Sequence, residues 1–198
     1  MQTEIIKVGR DEKDVDAVLV AAERLGEESG LSKKENLHLR LLTEELLGLL
    51  RGIAGDVEAN WQAECEGKSF RLKLVSDFHM TQEVRMDLIE TSTSGKNEAA
   101  KGFMGRLRNT IEAMMAGLDS PAVGQSGSLL IMGGPGVYSS GDGTWSLNQY
   151  RDAVGQSEGP DARAAWDVME KSIVANLADD VKVHIERSHV EITIYKDF

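Results

Sequence analysis

Three groups of residues have the types and spacing for chemistry. Glu44-Glu45 lies within a leucine-rich helical stretch, Asp77 follows an alternating strand, and Gly102-Phe103-Met104-Gly105 opens another helical stretch. A helix start offers free N–H groups and the positive end of the helix dipole to an anion, and glycine lets a phosphate come close to the backbone. An aspartate at a strand end is well placed to accept a hydrogen bond from an exocyclic amine. Each feature also has a plain structural reading: solvated helix acids, a turn aspartate, a glycine-eased helix start. Their order along the chain makes them a set.

The remaining motifs carry less. Gly67-Lys68-Ser69 resembles the end of a phosphate loop, but the glycine required five positions earlier is Gln62, and the segment joins strand to strand. It reads as a hairpin turn. Gly133-Gly134-Pro135-Gly136 follows an apolar run without the Lys-Ser/Thr that would complete a phosphate cradle. His38, His79, His184 and His189 share no ligand spacing on a common helix, so no metal site is expected. No Gly-x-Ser-x-Gly elbow occurs, since Gly124-Gln125-Ser126-Gly127 is one residue too short. The 33 acidic residues make chance carboxylate pairs plentiful, and such pairs are uninformative.

The elements that must position these residues follow from apolar periodicity. Residues 2–9 alternate as a first strand. Asp11 to Glu28 form a helix through Val15, Val18, Leu19, Ala22 and Leu25. Ser32 and Glu35 make a capping box for a second helix, whose expected apolar stripe is Leu37, Leu41, Leu42, Leu46, Leu49, Leu50 and Ile53. Residues 57–65 and 70–76 alternate about a turn at Glu66-Gly67-Lys68, and residues 181–187 and 190–196 alternate about Arg187-Ser188-His189. Residues 84–89 are undecided between strand and helix, while 97–116 show helical spacing through Phe103, Leu107, Ile111 and Met114.

Residues 117–159 concentrate Gly, Ser and Pro and read as an insertion or flap, with a strand-like run at 129–132 and a short helix near Trp145 to Val154. A further helix starts at Pro160 and runs to about Leu177. Every clear strand has one apolar and one polar face. The expected fold is therefore α+β: a two-layer α/β sandwich with a mixed, largely antiparallel sheet covered by helices on one face, in a single domain spanning residues 1–198.

Composition bounds the function. Hydrophobic residues make up 41% and charged residues 28% of the 198-residue chain, the values of a globular protein. A formal charge of −11 opposes nonspecific contact with nucleic acid and anionic lipid, so no nucleic acid and no membrane is expected as partner. Cys65 is the only cysteine, which excludes an internal disulfide. The first residues lack the basic-then-apolar order of a signal peptide, and no apolar run reaches the length of a membrane span. The expected location is cytoplasmic.

On these residues the chain resembles the GHKL superfamily of histidine kinase-like ATPase domains, nearest the bacterial anti-sigma-factor serine kinases. The resemblance covers residues 1–116 and 180–198. It implies ATP as ligand, with Glu45 on Leu42-Thr43-Glu44-Glu45-Leu46-Leu47-Gly48-Leu49 as the catalytic carboxylate that activates a nucleophile. It places Asp77 at the adenine, within Ser76-Asp77-Phe78-His79-Met80-Thr81, and Gly102 and Gly105 near the phosphates. The family's magnesium-holding Asn falls on Leu49, and a hydrocarbon offers no oxygen ligand to a hard cation. Both glycines of the Asp-x-Gly-x-Gly motif are absent, and Phe78 and Met80 bring side chains toward the nucleotide. Without magnesium, phosphoryl transfer loses its main electrostatic aid.

The resemblance thus implies a regulator with weak or no ATP use that acts on a regulatory protein partner in signalling or transcriptional control. A homodimer is the default oligomer. An active ATP-dependent serine kinase is the alternative. A small-molecule enzyme with its site in residues 117–159 is the third.

Overall fold

The structure, a computed structural model, describes residues 1–9, 11–52, 58–77, 102–107, 111, 144–186 and 189–198. The first strand, β1, spans Ile6–Val8. Asp11 then caps helix α1, Glu12–Glu28, by accepting from the Lys13 N–H at 3.1 Å. Val18, Leu19, Ala22 and Leu25 form its buried face. The chain reverses at Gly30, whose φ of 74° favours glycine.

Helix α2, Lys33–Gly52, begins with the expected capping box. The Ser32 N–H donates to Glu35 Oε2 at 2.6 Å, and the Glu35 N–H donates to Ser32 Oγ at 3.3 Å. Its buried face is Leu39, Leu42, Leu46, Leu47 and Leu49. That corrects the expected stripe: Leu37 is exposed and Leu41 only half-buried. Leu39 and Leu42 repeat through Leu46 and Leu49 on the side that meets the sheet, and a leucine-rich helix allows more than one such reading.

Strands β2, Ala59–Glu66, and β3, Ser69–Asp77, form a hairpin turning at Gly67, where φ is 62°. Strands β5, Asp180–Glu186, and β6, His189–Asp197, form a second pair. A short strand, β4, Thr144–Ser146, completes a six-stranded sheet in the order β1-β2-β3-β6-β5-β4. Every described pairing is antiparallel, so the parallel component expected of a mixed sheet is not found among the described residues. The sequence places His189 in a turn, whereas the structure makes it the first residue of β6, opposite Asp77.

One face of the sheet is apolar. Trp61, Ala63, Phe70, Leu72, Val183, Ile185, Ile192 and Ile194 are buried there with the inner faces of α1 and α2 in one core. The other face is polar, with Lys7–Glu58, Arg71–Glu64 and Lys73–Glu191 as ion pairs and Lys182 Nζ 5.0 Å from the Tyr195 ring centroid. This is the α+β two-layer arrangement, and period-two alternation produces it directly.

The last part of the expected insertion, residues 144–159, is part of this fold. Ser146 caps helix α3, Leu147–Gln156, and Trp145, Leu147 and Val154 are buried. Residues 117–143, with the 129–132 run and the Gly133–Gly136 glycines, lie outside the described residues, as do 84–89, Phe78, Met80 and Met114. The helix expected over 160–177 is two: α4, Pro160–Glu170, and α5, Ile173–Leu177. Ser172 interrupts them and accepts from the Ala175 N–H at 3.2 Å, because serine favours capping over continuing a helix. Arg151 donates to the carbonyls of Ala175, Ala178 and Asp179, which satisfies the open end of α5.

Candidate functional site

Strand pleat decides where Asp77 points. Along β3, Phe70, Leu72, Leu74 and Ser76 face the helices and are buried, so Asp77 takes the opposite, polar face. There it stands in register with His189, whose Nδ1 lies 2.8 Å from Asp77 Oδ1. The pair is exposed, with 71% of the Asp77 side chain and 46% of the His189 side chain accessible. The residue at this strand end that faces the helical layer is Ser76, whose Oγ donates to the Glu58 carbonyl at 2.7 Å.

Glu45 sits on α2, in the helical layer across the sheet from Asp77. It is half-buried, and among the described residues it has no hydrogen-bond or ion-pair partner. Desolvation, with the neighbouring charge of Glu44 second, raises its carboxyl above the ordinary range. Glu44 differs: it accepts from Arg40 Nε at 3.0 Å, and Arg40 also reaches Glu23 on α1. Of the two adjacent acids, one is tied into a surface ion-pair network and the other is left desolvated. A carboxyl in that state is suited to holding or accepting a proton.

One turn beyond Glu45, Leu49 is 3% exposed and packed in the core. The side chain at this position therefore packs, among the described residues, with the apolar core. Residues 103–107 are helical, and the Gly102 carbonyl accepts from the Arg106 N–H at 3.0 Å, so Gly102 occupies the helix start. Gly102 is exposed, and a Cβ there would meet nothing within 4 Å among the described residues. Gly105 is buried one turn on. Phe103 anchors this segment through its ring, whose centroid is 6.5 Å from that of Tyr150 on α3.

The structure therefore has Glu45 and Leu49 on one helix and Gly102 just before the helical residues 103–107; residues 97–101, 108–110 and 112–116 of the helix expected from spacing lie outside the described residues. It does not bring Asp77 and Glu45 together, because the sheet lies between them. His189 is the residue that sequence reasoning missed at this place. Its partner is set by the β3–β6 register, which joins positions more than a hundred residues apart. Among the described residues no three His, Cys, Asp or Glu side chains converge as a metal site, and no helix is long and apolar enough to cross a membrane. No family model, no curated protein and no solved structure matches this chain.

Proposed function

We propose that the chain is a regulator on a degenerate histidine kinase-like ATPase fold, acting through contacts with a partner protein in signalling or transcriptional control and making weak or no use of ATP. The observation that carries this reading is the division of the two acids. Asp77, the residue matched to adenine, faces away from the helical layer and is engaged by His189, whereas Glu45 lies within that layer. Burial of Leu49 in the core adds to it, since the magnesium-ligand position then presents only hydrocarbon. Helices on one face of an open sheet, with α2 preceding the β2–β3 hairpin, support the two-layer part of the architecture that the resemblance implies; its mixed sheet is not found among the described residues.

The test is calorimetric titration of the whole chain with ATP, with and without magnesium. The expected result is weak or undetectable binding that magnesium does not improve. Tight, magnesium-dependent binding abolished by Glu45→Ala would overturn the reading. It would favour the second one, an ATP-dependent serine kinase in which Glu45 activates the acceptor hydroxyl. The desolvated carboxyl of Glu45, without a partner among the described residues, is the observation on that side.

A further inference from the structure

We draw no further inference here: the strongest candidate, the exposed side chains of Trp166 on α4 and Ile173 on α5, is an apolar surface for which nothing in the structure shows what covers it.

Discussion

Glu45 and Gly26 are each governed by their immediate surroundings, one by charge and one by space. The Glu45 carboxyl is held above its ordinary range by desolvation and then by Glu44, so the folded state binds its proton more tightly than the unfolded state does. Its contribution to stability is complete below the unfolded carboxylate range and is lost as pH rises through the raised value. Glu45→Gln removes that dependence. The urea midpoint of the variant is expected to gain on that of the parent as pH rises from about 4 to about 7.5; an unchanged gap between the two would mean that Glu45 is fully solvated. Gly26 answers to sterics instead. A Cβ there would clash with Asn36 Oδ1, a buried atom with no hydrogen-bond partner among the described residues, where α1 meets α2. Gly26→Ala is expected to cost roughly 1–3 kcal/mol, the usual range for overpacking. Because Asn36 supplies the clashing atom, the double variant Gly26→Ala/Asn36→Ala is expected to be more stable than the sum of the two single changes predicts.

At the scale of the element, the start of α2 rests on two reciprocal hydrogen bonds between Ser32 and Glu35. Lys68, from the β2–β3 turn, adds a contact of 2.8 Å to Glu35. The Lys68 ammonium first, then the Ser32 N–H, holds the Glu35 carboxyl down to about 2. A depressed carboxyl stabilises the fold at pH above its unfolded value, and that contribution disappears as pH falls from about 4.5 toward about 2. Glu35→Gln is expected to flatten acid unfolding over that window, read by circular dichroism at fixed temperature. Ser32→Ala removes the other half of the box and is expected to cost about 1 kcal/mol at neutral pH. If α2 keeps its stability in the Ser32 variant, the hydroxyl adds nothing beyond the residue-32 N–H and Lys68 contacts to Glu35 and the packing of the helix.

For the whole molecule, the sheet and its single helical layer determine what a repair of the ATP motif could achieve. Leu49→Asn would put an oxygen where the resemblance matches the family's magnesium-holding Asn, yet residue 49 is 3% exposed and packed with core side chains. The change trades apolar burial for an amide without partners and is expected to destabilise the chain by roughly 3 kcal/mol or more, measured by thermal or urea unfolding. No gain in magnesium-dependent nucleotide affinity is expected to accompany that loss. A folded Leu49→Asn protein that binds ATP with magnesium would place residue 49 at a cleft and reverse this account of the helical layer.

Local chemistry was legible in the sequence. Alternation named the β2–β3 and β5–β6 pairs and their buried faces, the glycine at position 67 marked the hairpin turn, and Ser32 with Glu35 announced the start of α2. Each of these depends on neighbours within a few residues, where side-chain periodicity and backbone preference act directly. Where the leucine-rich face of α2 points was not legible, because Leu37, Leu39, Leu41 and Leu42 satisfy competing stripes until the sheet selects one. Nor was the place of residues 144–156: their glycine-rich approach reads as a flap, while Trp145 and Leu147 gain burial only once β5 is present to pair with β4. The fate of Asp77 was decided last and farthest away. Position in the chain put it at a strand end, and the resemblance matched it to an adenine-binding aspartate. Pleat and the β3–β6 register turned it to the polar face and gave it His189 as partner, because a strand's facing residues are chosen by the sheet and not by the strand.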